Sequence, residues 1–228
     1  MTAAALPSLP ASKPLLTALA TGPRTALVAT VAELTAIYQE DVNLVVLPRL
    51  LGADVQGAVQ ALAAGPEFKA TVQVGAAQPD LCALPFFKQA EAAPLLADLT
   101  YWIQAFAALF DGEQIGLRIC HSRSVLCPRF HIDRVPVRLV CAYAGRSLQW
   151  LAEPDVDRGF LGHQAGGRSD EESGLLRRQD AIQSVPPQAI VLCRGEAWPG
   201  QAGRASVHRS PPALAQGQGR LVLTLDLL

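Results

Sequence analysis

Residues 112–151 read GEQIGLRICHSRSVLCPRFHIDRVPVRLVCAYAGRSLQWL. Short β-branched and apolar runs alternate here with Gly, Pro and charged turns, a pattern typical of strands joined by short connections. The pattern continues to the C-terminus and predicts eight strands: Gly116 to Cys120, Arg129 to Asp133, Val137 to Tyr143, Leu148 to Leu151, Ala181 to Val185, Ala189 to Arg194, Ala205 to His208 and Arg220 to Leu227. Eight short strands of this kind favour a double-sheet jelly roll.

Helical patterns dominate before Asp111. Helices are predicted for Leu27 to Tyr38, Val55 to Ala64 and Ala93 to Phe110, and short extended pieces for Asn43 to Leu47 and Lys69 to Val74. The prediction is an α+β protein with a flexible N-terminus (1–22), a mainly helical region (23–111) and a C-terminal jelly roll of the double-stranded β-helix, cupin-like type (112–228). The N-terminal helices are expected to pack on the sheet and so complete one compact domain.

The composition and charge balance narrow the class of protein. The 228 residues carry 19 Lys plus Arg against 20 Asp plus Glu, so a basic surface for bulk nucleic-acid binding is not expected. Three prolines (Pro7, Pro10 and Pro14) interrupt the first apolar residues, so no signal peptide is expected. The apolar runs fall short of the ~20 residues that a membrane span needs. Five cysteines without a C-x-x-C pair fit a reducing compartment. We therefore expect a soluble, cytoplasmic protein without membrane association, whose N-terminal helices offer a surface for a partner or a homodimer.

A candidate metal site begins at Phe130-His131-Ile132-Asp133. On a strand, residues i and i+2 point to the same face, so the imidazole of His131 and the carboxylate of Asp133 can converge on one ion. His208 ends a later extended run and is the best-placed third ligand. Two imidazoles and one carboxylate form the facial triad that holds non-heme Fe(II) and leaves coordination positions open.

The last predicted strand supplies a candidate anion-binding residue. Alternation places Arg220, Val222, Thr224 and Asp226 on one face and the leucines on the other. An arginine beside a metal site offers a bidentate fork for a carboxylate.

Less specific interpretations of these residues stay open. His131 and Asp133 could form a simple hydrogen-bonded pair, and Arg220 could pair with Asp226 or another surface carboxylate. Arg138 is a rival anchor, because it also lies on a strand close behind the H-x-D motif. Cysteines near His131 could in principle contribute to a zinc site, although the spacing C-x6-C-x3-H of Cys120, Cys127 and His131 does not match structural zinc knuckles.

The order H-x-D, distal His and then Arg on a final strand resembles the Fe(II)/2-oxoglutarate-dependent oxygenase superfamily over about residues 112–228. The resemblance implies that His131, Asp133 and His208 hold Fe(II), that 2-oxoglutarate chelates the metal, and that Arg220 pairs with its far carboxylate. It further implies oxidative decarboxylation to succinate and CO2 with hydroxylation or demethylation of an unknown substrate. Tyr143 is assigned a hydrogen bond to the cosubstrate.

A second resemblance covers most of the chain. The segments Cys127-Pro128-Arg129-Phe130-His131-Ile132-Asp133 and Val207-His208-Arg209-Ser210-Pro211-Pro212 resemble a bacterial family whose function is not established and whose members often lie near zinc-responsive genes. It favours an alternative in which the same three ligands bind zinc without redox chemistry, in metal homeostasis. A third hypothesis is an interaction module that has lost the metal.

One long connection interrupts the predicted strands. Residues 152–180 are polar and glycine-containing, and they are too long for a hairpin turn. Long insertions of this kind are often functional lids. We predict that this segment is mobile and borders the mouth of the metal cavity.

Overall fold

Two β-sheets pack against each other in the computed structural model, which describes residues 22–200, 202–211 and 219–228. The flexible N-terminus predicted for 1–22 therefore lies, except for Gly22, outside the described residues. In chain order the strands are β1 (Arg24–Leu27), β2 (Val42–Leu47), β3 (Phe68–Gly75), β4 (Gln114–Ser122), β5 (Val137–Ala144), β6 (Gln149–Leu151), β7 (Gln183–Ser184), β8 (Ile190–Arg194), β9 (Val207–Arg209) and β10 (Arg220–Leu227). The α-helices are α1 (Ala53–Ala64) and α2 (Ala93–Phe110).

The large sheet has seven strands in the order β1-β2-β8-β5-β10-β4-β3, and the small sheet has three in the order β7-β6-β9. Only the β1–β2 pair among these described strands is parallel. The mixed architecture of one large sheet and a few helices is as predicted. Seven of the eight predicted C-terminal runs contain a strand. The exception, Arg129 to Asp133, makes one antiparallel bridge, between His131 and His208.

The helices cover one face of the large sheet. Leucines 221, 223 and 225 of β10 point into this helix-side core, as alternation predicted. The buried residues of α2 recur at helical spacing: Leu95, Leu99, Trp102, Ile103 and Phe106. The segment Ala90–Phe110 is long and apolar enough to cross a membrane by length and composition, which the sequence prediction did not recognise. Its buried face packs in the helix-side core.

The N-terminal region differs in part from its prediction. It contributes three strands to the large sheet as well as helices. The predicted helix from Leu27 to Tyr38 is instead strand β1 followed by a 3-10 helix, Ala32–Tyr38. The buried guanidinium of Arg194 donates to the carbonyl of Gln39 (2.9 Å) just after this short helix and so satisfies backbone acceptors at its end.

The insertion 152–180 is anchored to the small sheet. Its Val156, Leu175 and Leu176 pack with Phe130 and Val207 in a separate apolar cluster. The carboxylate of Asp170, 2% exposed, accepts hydrogen bonds from the backbone N–H of Phe130 (2.9 Å), from Arg129 (2.8 Å) and from Arg209 (2.9 Å). The insertion thus supports the segments that carry His131 and His208.

Replacing Asp170 with alanine is expected to lower the free energy of unfolding by about 3 to 5 kcal/mol, because it removes the buried carboxylate that accepts from Arg129, Arg209 and the Phe130 N–H and leaves Arg209 with the half-exposed Glu171 as its ion-pair partner. Urea denaturation followed by circular dichroism measures the change. The control is Asp180→Ala, whose carboxylate is 80% exposed and should change stability by less than about 0.5 kcal/mol. Equal stabilities of the two variants would contradict the anchoring role.

Candidate metal centre

His131 and His208 are brought together by a backbone bridge. The N–H of each residue donates to the carbonyl of the other, and both distances are 3.0 Å. Residues directly opposite each other in an antiparallel pair share a face, so the two imidazoles lie side by side with ring centroids 4.7 Å apart. Strand β9 holds His208, whereas His131 sits in the loop between β4 and β5.

The hydrogen bonds of the two rings orient their second nitrogens toward a common point. Nδ1 of His131 lies 2.9 Å from the carbonyl of Arg129, and Nδ1 of His208 lies 3.3 Å from the carbonyl of Ser206. A carbonyl only accepts, so each Nδ1 carries a hydrogen, and each Nε2 is the nitrogen that can bind a metal once it is unprotonated. Burial, and then the neighbouring His208, lower the pKa of His131 and favour its neutral, ligating form. This is the usual second-sphere arrangement of metal-binding histidines.

Asp133 completes the group. Its Oδ2 lies 3.3 Å from Nε2 of His208 and its Oδ1 lies 3.9 Å from Nε2 of His131. All three ligand atoms fall within 4.8 Å of one another, and no second group of three such side chains occurs within the described ranges. The predicted triad is therefore assembled in space.

The buried Oδ2 of Asp133 has no hydrogen-bond partner within the described part of the chain. Burial opposes ionisation of this carboxyl, but His208 and Arg138 outweigh it and hold its pKa at about 2. A buried carboxylate oxygen that faces an imidazole nitrogen 3.3 Å away requires a proton or a cation between them. The residues present therefore fit a divalent metal.

Asp133 is held from behind by an ion-pair chain. Its Oδ1 accepts from Nη1 of Arg138, and Arg138 in turn donates to both oxygens of Asp226, at 2.6 and 2.9 Å. The pairing of β5 with β10 places Arg138 directly opposite Asp226. One oxygen of Asp133 is thus engaged by Arg138, which leaves Oδ2 for the metal.

Gly195 permits the backbone to approach this ligand. A Cβ at this position would lie 1.9 Å from the carbonyl oxygen of Val135 and 2.9 Å from that of Asp133. The N–H of the next residue, Glu196, donates to the Asp133 carbonyl at 2.8 Å. No spacing rule applied to the sequence singled out this glycine, which follows strand β8 directly.

Gly195→Ala is expected to displace the Asp133 loop and to lower metal affinity at least about tenfold, the usual effect of disturbing the residues around a ligand. Titration of Co(II), followed by its visible absorption, measures the affinity. The control is Gly57→Ala, which adds a methyl group to open space. Gly162→Ala is unsuitable because the φ of Gly162 is +61°, which strains any other residue. Gly195→Ala with unchanged affinity would contradict this role.

A cavity of about 100 Å³ adjoins the two histidines. Its lining consists of Arg118, Cys120, Leu126, Cys127, His131, Arg138, Val140, Leu148, His208, Arg209, Ser210, Arg220, Val222 and Thr224. Arg220, Val222 and Thr224 line it together, as the alternation of the last strand predicted. No residue of 152–180 lines the cavity itself, although Glu171 of this insertion pairs with the lining residue Arg209 at 3.0 Å, so a mobile insertion at the cavity mouth stays a prediction.

Arg220 is 5% exposed and donates from Nε to the carbonyl of Arg146 at 2.8 Å. No carboxylate pairs with it in the part of the chain that the structure describes, and burial lowers its pKa. Asp226, the alternative partner considered from the sequence, is engaged by Arg138 instead. The rival anchor Arg138 already has two carboxylate partners.

Tyr143 is not brought to this cavity, which corrects its assignment to a cosubstrate. Its side chain lies in the helix-side core, and its hydroxyl donates to Asp98 at 2.5 Å. Odd-numbered residues of β5 face the helices, whereas Arg138 and Val140 face the cavity. Cys120 and Cys127 line the cavity but form no ligand group with His131.

Comparison with solved structures gives matches of low sequence identity. The chain is structurally similar at low identity to an oxidoreductase of the 2OG-Fe(II) oxygenase family from Burkholderia pseudomallei (15% identity, 89% of this chain and 94% of that chain, TM-score 0.45). It is also similar to a prolyl-4-hydroxylase from Pseudomonas putida (14%, 87% and 98%, TM-score 0.44). A third similar structure is that of dioxygenase for auxin oxidation 1 from Arabidopsis thaliana, in complex with 2-oxoglutarate (12%, 91% and 92%, TM-score 0.48).

None of the curated protein sequences matches the chain. The family model described as "Protein of unknown function (DUF1826)" matches residues 29–226, which is most of the chain. The protein therefore belongs to the DUF1826 family.

Proposed function

We propose that the protein is a non-heme Fe(II)- and 2-oxoglutarate-dependent oxygenase, a hydroxylase or demethylase. The observation that carries the proposal is the convergence of His131, Asp133 and His208, with an unpartnered buried carboxylate oxygen, beside a cavity lined by Arg220. A buried arginine without a carboxylate partner is costly in the empty protein. An anionic ligand would remove that cost.

The two sheets are interpreted as the predicted double-stranded β-helix. Strands β2, β8, β5, β10 and β4 form its larger side, and β7, β6, β9 and the His131 bridge form its smaller side. Apolar residues of both sheets, among them Val140, Leu148 and Val191, pack between them. Val140 and Leu148 also line the cavity, where they would limit access of water to the site.

In this proposal each polar residue of the site has one task. His131, Asp133 and His208 would hold Fe(II), which supplies the oxygen chemistry and retains open positions for reactants. Arg138 would fix the carboxylate of Asp133 through its Oδ1. Arg220 would bind the far carboxylate of 2-oxoglutarate and so orient the cosubstrate toward the metal.

The test is a parallel measurement of metal, cosubstrate and product. The protein is purified without chelator, its metal content is determined, and the metal-free form is reloaded with Fe(II) under anaerobic conditions. We expect one Fe(II) per chain, saturable 2-oxoglutarate binding by calorimetry, and slow formation of succinate once air is admitted. Fe(II)-loaded protein that neither binds 2-oxoglutarate nor forms succinate would overturn the proposal.

A zinc-binding protein in metal homeostasis is the alternative, because two histidines and one carboxylate also suit zinc. It does not account for a buried arginine in the same cavity. Tight binding of Zn(II) together with no response to 2-oxoglutarate would favour this alternative.

A further inference from the structure

One wall of the cavity is formed by β4, which lies next to the edge strand β3 of the large sheet. Arg118 of β4 lines the cavity, and the β3–β4 register places Thr71 directly opposite Arg118 and Lys69 directly opposite Cys120. Opposite residues on neighbouring strands share a face, so Lys69 and Thr71 lie on the cavity side of the sheet. Both are exposed. We call Arg118, Thr71 and Lys69 the edge surface.

The guanidinium of Arg118 has donors to spare. Its nearest carboxylate oxygen is Oδ2 of Asp226, at 3.6 Å, which is an ion pair without a hydrogen bond. Both oxygens of Asp226 already accept from Arg138. Among the described residues, the side chain of Arg118 donates no hydrogen bond, although 36% of it is exposed to solvent at the cavity. It is therefore available to an incoming anion.

The charges around the cavity also favour binding of an anion. Between Gln114 and Leu151, the segment that provides most of the lining, the chain carries six arginines and one acidic residue, although the whole protein has a net charge of -1. Arg129 and Arg209 are neutralised by Asp170 and Glu171. Arg118, Arg138 and Arg220 then face only two carboxylates, those of Asp133 and Asp226.

Three arginines against two carboxylates leave one positive charge in excess. A bound divalent metal would raise this excess to three positive charges, and 2-oxoglutarate would neutralise two of them. One positive charge would remain. In the row of ion pairs Asp133–Arg138–Asp226–Arg118, Arg118 is the exposed end. Uncompensated charge in a cleft with low-dielectric walls attracts counter-ions strongly. Arg118 is therefore the residue at which a further anion would be bound.

We propose that the substrate carries an anionic group, a carboxylate or a phosphate, which Arg118 binds at the cavity mouth with Thr71 and Lys69 beside it. The inference rests on the proposed function, because it assigns the substrate class of that same site. Arg118 is the specificity-determining residue. Oδ2 of Asp226 lies 3.6 Å from Nη2 of Arg118, and its negative charge repels an anion that approaches Arg118 from that side.

The test uses the full chain, loaded with Zn(II) and saturated with 2-oxoglutarate so that Arg220 is occupied. Sulfate, a tetrahedral dianion, and acetate, a carboxylate, are titrated separately while the arginine Nε–H signals are followed by NMR. The Arg118 signal, assigned with Arg118→Lys, is expected to shift and saturate. Arg118→Gln should weaken the binding of the preferred anion by about tenfold, the loss of a charge-assisted hydrogen bond.

Tighter binding of sulfate would indicate a phosphate-bearing substrate, and tighter binding of acetate would indicate a carboxylate-bearing one. The matched control is Arg146→Gln, since the side chain of Arg146 is exposed and does not line the cavity. Metal and 2-oxoglutarate binding without saturable anion binding at Arg118, or with equal affinity in Arg118→Gln, would overturn this inference alone. Failure of the wild-type protein to bind 2-oxoglutarate would instead overturn the proposed function.

Discussion

Asp133→Asn is expected to lower the affinity for Fe(II) by more than about 100-fold, because even residues that only support a ligand typically contribute 10- to 100-fold. The amide preserves the shape of the side chain and still accepts from Arg138 through Oδ1, but it removes the negative charge and the free carboxylate oxygen that faces His208. Competition with a fluorescent chelator under anaerobic conditions measures the affinity.

Thermal unfolding provides a second measurement of the same prediction. Metal at 100 times its dissociation constant should stabilise the wild-type protein by about 2.7 kcal/mol, and Asp133→Asn should lose this increment. Asp180→Asn is the control, because its carboxylate is 80% exposed and pairs only distantly with Arg178, at 3.8 Å. Wild-type metal affinity in Asp133→Asn would contradict the assignment of the centre.

The part of the site that the sequence predicted follows from strand periodicity. Along β10 a two-residue period separates the leucines, which pack against the helices, from Arg220, Val222 and Thr224, which line the cavity. One face is strongly apolar and the other is mixed, so the register of this strand is unambiguous. The same reasoning brought His131 and Asp133 together, although the segment makes only one bridge.

Strand β5 shows why Tyr143 was misplaced. Five consecutive positions of this strand, residues 139–143, are buried without alternation, because both faces of the strand are covered. A strand buried on both sides gives no sequence signal for which face meets the helices. The pairing of Arg138 with Asp226 was equally hidden, since it depends on the register between two strands 88 residues apart in sequence.

The anchoring of the insertion was not predicted, because its charges were weighted more than its apolar residues. Leu175 and Leu176 are buried against the small sheet, and Asp170 uses its charge internally, on Arg209 and the backbone of Phe130. A charged residue in a polar segment is usually solvated. Only the fold reveals that this one caps the segments that carry the two histidines.

Arg220→Ala is expected to weaken 2-oxoglutarate binding by about 10- to 150-fold, which corresponds to the 1.5 to 3 kcal/mol of a hydrogen bond to a charged group. Metal content should not change, because within the described ranges Arg220 donates to the Arg146 carbonyl and to none of the three ligands. Calorimetric titration of the Fe(II)-loaded, oxygen-free protein measures the cosubstrate affinity. Arg177→Ala is the control, since this exposed arginine does not line the cavity.

The stability of the ligand-free Arg220→Ala protein distinguishes a binding role from a structural one. Burial lowers the pKa of Arg220, which means that the charged form is disfavoured by its surroundings before any anion arrives. Its removal should therefore leave the free energy of unfolding unchanged or raise it, whereas loss of a structural ion pair would lower it by about 3 to 5 kcal/mol. Arg220→Lys should recover part of the affinity, since it keeps the charge but lacks the planar fork. A destabilised Arg220→Ala protein with undiminished 2-oxoglutarate binding would show that the arginine serves the fold and that the cosubstrate is anchored elsewhere.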